Sequence, residues 1–242
     1  RFKNYIMKNI LVTGCSRGIG FEIVKSFAKF HKANVLAIAR SKDGLQKLEK
    51  ECYKINSEFE LHILELDLVD VKSAETLLAY IKKNMNNSLD GIIHNAGFLV
   101  KKSFQSITYD ELENSFKINV FSPFFLTQKL MPFFNQEAHV LSISSMGGVQ
   151  GSQKFPGLSA YSTSKSTLIT LTECLAEEFK DTGFTFNCLA LGAVQTEMLS
   201  KAFPGYKAPL SASEMGDFIA TFFNDGPKYF NGQLIPISLT TA

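Results

Sequence analysis

Short apolar runs alternate with longer amphipathic stretches along almost the whole of this 242-residue chain. A run of four to eight β-favouring residues is typical of a buried strand, whereas apolar residues three and four positions apart are typical of a helix. Ile23, Val24 and Phe27 form one such helical face. The runs that predict strands are residues 10–13, 35–39, 59–66, 89–94, 140–144, 186–190 and 234–237.

This alternation predicts repeated βα units, in which helices cover both faces of a parallel sheet. Right-handed crossovers then leave a doubly wound sheet as the simplest topology. We expect an α/β fold with a seven-stranded parallel sheet and helices on both faces, formed by residues 8–242 as a single domain. Residues 1–7 are expected to be a tag or an extension. Ligands of such sheets bind at the carboxyl ends of the strands.

The charge balance and the cysteine spacing exclude several classes of protein. Lys plus Arg total 25 against 23 for Asp plus Glu, which leaves no basic surface for nucleic acid. No apolar run approaches the roughly 18 residues of a membrane span, and the first residues lack the apolar stretch of a signal peptide. The four cysteines form no C-x-x-C pair, and the four histidines have no metal-ligand spacing. We therefore expect a cytoplasmic protein with reduced thiols that binds no metal, nucleic acid or membrane.

A glycine-rich turn follows the first predicted strand and leads directly into the first predicted helix. Residues 13–20 are Thr-Gly-Cys-Ser-Arg-Gly-Ile-Gly. Such a turn lets the backbone approach a pyrophosphate and points the N–H groups of the helix start at it, where the helix dipole favours negative charge. The spacing G-x-x-x-G-x-G differs from the common G-x-G-x-x-G string, so a strand-to-helix turn without a ligand is the alternative.

Arg40 ends the second predicted strand, where a dinucleotide-binding chain that prefers an unphosphorylated ribose has Asp or Glu. A guanidinium there, with Arg17 and either Ser41 or Lys42, would pair with a 2′-phosphate through charge-assisted hydrogen bonds. The sequence therefore favours NADP(H) over NAD(H) as the cofactor. The alternative is that Arg40 is a solvated charge at the end of a strand.

Tyr161 and Lys165 are four residues apart and share one face of a predicted helix. A free tyrosine has a pKa near 10, and a cation about 4 Å away would lower this pKa by roughly one to three units after allowance for desolvation. Tyr161 would then act as a general acid or base near neutral pH. Because many exposed helix faces carry the same spacing, the pair is informative only in its context.

Polar residues also follow two other predicted strands, at the edge where a ligand is expected. The fifth strand ends in Ser142, Ser144 and Ser145, and each is a candidate to hydrogen-bond a substrate carbonyl. Alternation places Ser142 and Ser144 on one face and Ser145 on the other. The fourth strand is followed by Asn-Ala-Gly at residues 95–97. Asn119 lies within a helical pattern, where a buried and satisfied amide is the alternative to a functional role.

In this order and at these separations, five motifs resemble the short-chain dehydrogenase/reductase family: residues 13–20, residues 95–97, Asn119, Ser145 and Tyr161-x-x-x-Lys165. The resemblance covers nearly the whole chain and implies a Rossmann-like single domain. It implies a catalytic tetrad of Asn119, Ser145, Tyr161 and Lys165, since Ser145 best matches the family's serine. The expected cofactor contacts are Gly14, Ser16, Arg17, Gly18, Ile19, Gly20, Arg40, Ser41, Asp67, Leu68, Asn95, Ala96, Gly97, Tyr161, Lys165, Gly192, Val194 and Thr196.

The resemblance also implies an NADP(H)-dependent oxidoreductase that interconverts a carbonyl and a secondary or primary alcohol. Ser145 and Tyr161 would hold the carbonyl oxygen, which Tyr161 protonates during reduction. Lys165 would lower the pKa of Tyr161 and hold the nicotinamide ribose, and Asn119 would keep a water that reprotonates Lys165. One alternative is a nucleotide-sensing or scaffold protein without turnover. The other is a 3-oxoacyl carrier-protein reductase, with candidate docking residues Lys101, Lys102, Lys201 and Lys207.

Three departures from the family pattern bear on the substrate. Ser145 and Tyr161 are 16 residues apart, more than is common in the family, so an insertion near residues 152–155 would lengthen the loop beside the substrate. Leu191 stands where the family commonly has proline. Residues 239–242 replace the usual acidic, glycine-rich ending.

Apolar residues around positions 149–158 and 198–210 form a candidate lid and pocket. An ordinary core or a subunit interface is an equal alternative for them. They are Val149, Phe155, Leu158, Met198, Leu199, Phe203, Tyr206 and Leu210. The resemblance implies a homodimer or homotetramer packed through the helix flanked by Phe124, Phe125, Phe133 and Phe134. The 22 phenylalanines fit a pocket, an interface or a core equally.

Overall fold

Seven strands form one parallel sheet in the computed structural model, which describes residues 7–239. The strands are β1 (Lys8–Thr13), β2 (Ala33–Ala39), β3 (Leu61–Glu65), β4 (Leu89–His94), β5 (Phe134–Ser145), β6 (Thr185–Leu191), β7 (Val194–Gln195), β8 (Leu210–Ser211) and β9 (Leu234–Ile237). The helices are α1 (Gly18–Phe30), α2 (Lys42–Ile55), α3 (Val71–Asn84), α4 (Tyr109–Phe116), α5 (Ser122–Leu130), α6 (Ser159–Glu178), α7 (Glu197–Ala202) and α8 (Ala212–Asp225). The expected extension, apart from Met7, and residues 240–242 of the chain ending lie outside the described residues.

The order across the sheet is β3-β2-β1-β4-β5-β6-β9, and all its pairings are parallel. This confirms the predicted doubly wound, seven-stranded sheet. Because β1 and β4 are neighbours from which the chain winds outward in opposite directions, a crevice opens at their carboxyl ends. The separate pairing of β7 with β8 was not predicted, since two residues are too few to carry a periodic signal.

Five of the seven strands differ in their bounds from the predicted runs, and the starts of β5 and β3 differ for local reasons. β5 begins at Phe134, which pairs with Leu89 through an irregular register, and the exposed polar residues 135–137 hide this start from the apolar pattern. β3 begins at Leu61 rather than residue 59, because the N–H of Phe59 is already used in a turn, where it donates to the carbonyl of Asn56 over 3.2 Å.

Helices cover both faces of the sheet and bury two apolar clusters against it. The first cluster joins the sheet to α1, α2 and α8, and includes Ile23, Phe27, Leu45, Leu48, Met215 and Ile219. The second joins it to α3, α5 and α6, and includes Leu77, Ile81, Leu126, Leu130 and Ala176. Within residues 7–239, no helix combines the length and the apolarity that crossing a bilayer requires.

The phenylalanines divide between the core and the surface. Phe27 and Phe223 meet edge to face with ring centroids 6.1 Å apart, and both are buried. In contrast, Phe121, Phe124 and Phe125 are exposed by 47%, 43% and 56%, respectively. Part of the high phenylalanine content therefore builds the core, and part forms an apolar surface at α5.

Helices α4 and α8 each begin with a capping box. The hydroxyl of Thr108 accepts from the N–H of Glu111, whose carboxylate accepts from the N–H of Thr108 over 3.0 Å. Ser211 and Glu214 form the same reciprocal pair. These bonds satisfy N–H groups that the first turns of α4 and α8 leave without helical partners.

Two histidines are buried in neutral form. His139 donates from Nδ1 to the carbonyl of Phe223 over 3.0 Å, and its Nε2 accepts from the amide of Asn187 over 3.3 Å. Burial lowers the pKa of His139 to about 4. Burial also lowers the pKa of His94 to about 3, with a smaller contribution from the nearby Lys165 ammonium. Each histidine therefore binds a proton more readily in the unfolded chain.

We expect the free energy of unfolding to fall as the pH is lowered from about 6.5 to about 4, because the unfolded chain takes up protons that the buried histidines exclude. Each histidine steepens the decline by about 1.4 kcal/mol per pH unit. His139→Gln should remove that share of the slope, measured by urea denaturation at a series of pH values. An unchanged slope would mean that His139 is already protonated in the folded protein.

Candidate active site

The carboxyl ends of β1 and β4 are joined by a hydrogen-bond network centred on Thr13. The Thr13 hydroxyl accepts from the N–H groups of Asn95 and Ala96 over 3.0 and 2.9 Å, and donates to the carbonyl of Ile93 over 3.3 Å. The Asn95 amide donates in return to the carbonyls of Thr13 and Gly14 over 2.9 and 3.3 Å. Residues 95–97 are thereby held against the glycine-rich turn. Sequence reasoning assigned Thr13 no role of its own, since the only signal was a hydroxyl at a strand end.

The glycine-rich turn is packed too tightly for side chains. Gly14 has φ +74°, and a β-carbon on it would lie 2.8 Å from the Cα of Ala96. A β-carbon on Gly20 would overlap the carbonyl of Gly14. Arg17 precedes α1 without capping it through its side chain, so the first N–H groups of α1 have no cap from that residue. This is the backbone geometry that binds phosphate at a helix N-terminus.

Arg40 and Asp67 line one cavity of about 510 Å³ at the carboxyl ends of β2 and β3, together with Leu66. Arg40 is exposed and forms no ion pair with any residue in the described range 7–239. The hydroxyl of Ser41, the residue after Arg40, accepts from the N–H of Gly44 and caps α2. Leu68, the next expected contact, is half-buried.

Other expected cofactor contacts have local partners. The Arg17 guanidinium binds Glu197 over 3.1 Å, so in this structure it is already paired with a carboxylate. Ser16 packs against Gly44, where an added β-carbon would lie 2.6 Å from the Cβ of Ser16. Ile19 packs against the buried cluster beside α1.

The loop after β6 contributes one residue that reaches the glycine-rich turn. Gly192 donates to the carbonyl of Ile237 over 2.8 Å, and Val194 is buried and pairs with Leu210 in the small sheet. Thr196 caps α7 by accepting from the N–H of Leu199. The methyl of Thr196 lies 3.7 Å from where a β-carbon on Gly18 would be. Thr196 is therefore the residue of this loop that lies beside the expected phosphate site.

Among the three candidate serines, Ser145 is the one that interacts with Tyr161. Ser144 is buried and donates to the backbone carbonyl of Lys165 over 2.9 Å, and Ser142 is buried in β5. Ser145 is half-buried and ends the strand, and its hydroxyl interacts with the Tyr161 phenol. Ser145 also accepts from the N–H of Gly147 over 3.2 Å. The strand end thus presents one hydroxyl beside the phenol.

Lys165 and Asn119 lie next to each other beneath residue 97. A β-carbon on Gly97 would lie 3.5 Å from both the Lys165 Nζ and the Asn119 Oδ1. The Lys165 ammonium is buried, donates to the carbonyl of Ile143 over 2.8 Å and lies 5.9 Å from the Tyr161 ring centroid. The structure therefore brings Asn119, Ser145, Tyr161 and Lys165 into one group at the carboxyl edge of the sheet.

The side chain of Asn119 makes three hydrogen bonds within the fold. It accepts from the N–H of Phe98 over 2.8 Å, and donates to the carbonyl of Phe98 and the hydroxyl of Ser164 over 2.9 Å each. Asn119 lies in the π-helical turn Lys117–Phe121 between α4 and α5. Its amide thus holds the loop after β4 against α6 as a clamp. Ser164, which completes the clamp, was missed by sequence reasoning.

The pKa of Tyr161 moves opposite to the expected direction. Burial raises the pKa of Tyr161 to about 12, and the hydrogen bond with Ser145 offsets only part of this rise. Burial also lowers the pKa of Lys165 to about 8. In the protein alone the net pKa of Tyr161 is therefore raised, because burial disfavours the charged forms of both Tyr161 and Lys165.

The site fits a dinucleotide cofactor. The backbone cradle at residues 14–20 is suited to the pyrophosphate, and the cavity at Arg40 and Asp67 is suited to the adenosine end. Among residues 7–239, no cluster of three or more histidine, cysteine or acidic side chains is arranged to hold a metal ion.

A family model described as short chain dehydrogenase matches residues 8–207. The chain belongs to the short-chain dehydrogenase/reductase family. It is 32% identical over 197 residues to benzil reductase ((S)-benzoin forming) of Saccharomyces cerevisiae, covering 79% of this chain and 73% of that protein. It is 29% identical over 196 residues to 3-ketodihydrosphingosine reductase of Dictyostelium discoideum, covering 74% of this chain but only 58% of that protein.

A solved structure of a short chain dehydrogenase from Shigella flexneri, complexed with NADP, superposes with a TM-score of 0.86 at 25% identity. The match covers 97% of this chain and 99% of that one. The Rossmann-like nucleotide-binding fold thus extends over the described domain, and the protein is an oxidoreductase of this family.

Proposed function

We propose that this protein uses NADP(H) to interconvert a carbonyl compound and a secondary or primary alcohol, with Tyr161 as the general acid/base. The observation that carries the proposal is the placement of the Ser145 hydroxyl beside the Tyr161 phenol, one helical turn from the buried Lys165 ammonium. This group lies at the carboxyl edge of the sheet, where ligands of the fold bind.

In the reduction direction, the Ser145 and Tyr161 hydroxyls hydrogen-bond the substrate carbonyl oxygen and polarise the C=O bond. When bound, the reduced nicotinamide supplies the hydride that adds to the carbonyl carbon. Tyr161 then donates its phenolic proton to the oxygen, and the product is the alcohol. Lys165, whose pKa of about 8 lies near neutrality, is placed to return a proton to Tyr161.

The protonation state of Tyr161 in the protein alone suits the reduction half of the proposed reaction. With a pKa of about 12, the phenol keeps its proton at neutral pH and is ready to act as an acid. Alcohol oxidation would need the phenolate, which burial disfavours. A cation close to the phenol in the loaded enzyme would oppose this effect of burial.

NADP(H) is the proposed cofactor because Arg40 is exposed and unpaired at the adenosine end, where a carboxylate would otherwise receive a ribose hydroxyl. The NADP complex of the Shigella flexneri relative supports the same choice. Arg17 is a second candidate for binding the 2′-phosphate. Its guanidinium would then exchange the half-exposed carboxylate of Glu197 for the more highly charged phosphate.

The two alternatives have less support in the described residues. Carrier-protein docking needs free basic side chains, yet Lys102 is paired with Glu111 and Lys201 with Glu197. Lys101 is also engaged, since its ammonium donates to a backbone carbonyl. A sensor without turnover gains nothing from the buried ammonium of Lys165, whose desolvation costs free energy.

We also propose a homo-oligomer that packs through α5. Phe133 is buried and Phe134 packs edge to face on Phe184, so these two expected contacts belong to the protomer. Phe124 and Phe125 are about half-exposed, next to the equally exposed Phe121. Apolar surface of this kind is typical of a subunit interface.

Replacing Tyr161 tests the catalytic assignment. Tyr161→Phe should lower kcat for carbonyl reduction by about a hundredfold to ten-thousandfold, the usual contribution of a general acid. The dissociation constant for NADPH, measured by fluorescence titration, should stay within twofold. Tyr53→Phe, on the outer part of α2, is the matched control and should turn over normally. Near-normal turnover by Tyr161→Phe would overturn the mechanism.

Replacing Arg40 tests the cofactor assignment. Arg40→Asp should shift the ratio of NADPH to NADH affinity toward NADH by about ten- to a hundredfold, because a charge-assisted bond to phosphate is replaced by repulsion. Arg40→Lys keeps the charge and should retain most of the NADPH preference. Equal ratios in the Arg40→Asp variant and the wild type would remove Arg40 from the phosphate site.

Replacing the exposed α5 phenylalanines tests the oligomer. The wild type should sediment at a multiple of 26.9 kDa, and the double variant Phe124→Ser/Phe125→Ser should sediment at the monomer mass. Phe30→Ser, at a 57% exposed position on α1, should leave the mass unchanged. A double variant that keeps the wild-type mass would show that α5 is not the interface.

A further inference from the structure

Lys101 ties the short helix α7 to the loop that follows β4. Its ammonium donates to the backbone carbonyl of Ala202, the last residue of α7, over 2.8 Å. The same nitrogen lies 3.8 Å from the centroid of the Phe203 ring. The cation thus satisfies a carbonyl at the negative end of the helix dipole and contacts an aromatic face at the same time.

A third loop joins this contact. The Phe203 ring meets Phe155 edge to face with centroids 6.4 Å apart, and Phe155 belongs to the lengthened loop between β5 and α6. In that loop the carbonyl of Gly157 accepts from the N–H of Lys102 over 3.0 Å. A β-carbon on Gly157 would lie 3.3 Å from the Lys101 Cγ. The loops after β4, β5 and β7 therefore meet at Lys101.

This junction is connected to the catalytic helix. The carbonyl of Phe155 accepts from the N–H of Leu158, which directly precedes α6. Leu158 is buried, and Tyr161 follows it by three residues. A shift of Phe155 would therefore displace Leu158 and with it the start of α6, the helix that carries Tyr161.

We propose that Lys101 is a positioning residue for the substrate, which fixes Phe203 and Phe155 as an aromatic wall beside Ser145 and Tyr161. The substrate class that fits this wall is an uncharged carbonyl compound with an aromatic or bulky apolar substituent. The Lys101 ammonium is already engaged by a carbonyl and a ring, so it is not a free partner for a substrate carboxylate. This inference rests on the proposed carbonyl reduction.

Three variants of the full-length protein separate this role from a general effect on folding. Lys101→Met keeps the apolar stem and removes the charge, whereas Lys101→Arg keeps a cation. Lys102→Met is the matched control, because Lys102 makes only an exposed ion pair with Glu111 through its side chain. Amide hydrogen exchange of residues 197–203 monitors the contact of Lys101 with α7 and does not depend on turnover. We expect exchange there to be roughly tenfold faster in Lys101→Met and unchanged in the other two.

Steady-state kinetics with NADPH then test whether the aromatic wall binds the substrate. Benzaldehyde and acetaldehyde are compared because they differ in carrying a phenyl or a methyl group. Lys101→Met should raise KM for benzaldehyde by roughly tenfold, while kcat and the KM for acetaldehyde change less than twofold. Lys101→Arg should have a KM for benzaldehyde close to that of the wild type. Unchanged amide exchange, or equal effects on both aldehydes, would overturn the inference. If the wild type reduces no aldehyde or ketone of a wider panel, the proposed function is wrong, and so is the assignment of Lys101 to substrate positioning. If reduction is lost only in Lys101→Met, the proposed function still holds, because the wild type reduces the carbonyl compound.

Discussion

The junction between β1 and β4 is the constraint on which the site depends. A parallel sheet leaves polar groups at the carboxyl ends of its strands, and the buried ones must find partners. Here the Thr13 hydroxyl accepts from the backbone N–H of Asn95, and the Asn95 side-chain amide donates to the backbone carbonyl of Thr13. The glycine-rich turn can then lie directly on Ala96, because Gly14 has no side chain to hold the two apart. The positions of the backbone cradle at residues 14–20 and of the loop toward Asn119 depend on that one contact.

Burial controls the chemistry of the catalytic group. The sequence pair Tyr161 and Lys165 suggested a phenol made acidic by a cation, but both side chains are placed where charge is disfavoured. The result is a phenol that keeps its proton and an ammonium that releases one near neutrality. This is the protonation state that the proposed carbonyl reduction requires. The hydrogen bond from Lys165 to Ile143 keeps the cation in place despite its desolvation.

Much of the fold was predictable because its signal is local. Seven strands, the helices between them and two capping boxes all follow from periodicity and from short side-chain patterns. The site was predictable as a set of motifs, but the work done by individual side chains was not. Asn119 clamps Phe98 to Ser164, a structural role that no local pattern indicated, since these partners are 21 and 45 residues away in the chain. Ser41, an expected cofactor contact, also caps α2.

The sequence by itself determined the family, the parallel sheet and the edge of the sheet at which the candidate site lies, because periodicity and the order of the motifs can be recognised along the chain. Only the tertiary structure decided which of three serines faces Tyr161, and in which direction burial moves the pKa of that tyrosine. It also decided that Lys101, 101 residues from Ala202, closes the end of α7. These outcomes depend on distances and desolvation between remote segments, which no local pattern of residues encodes.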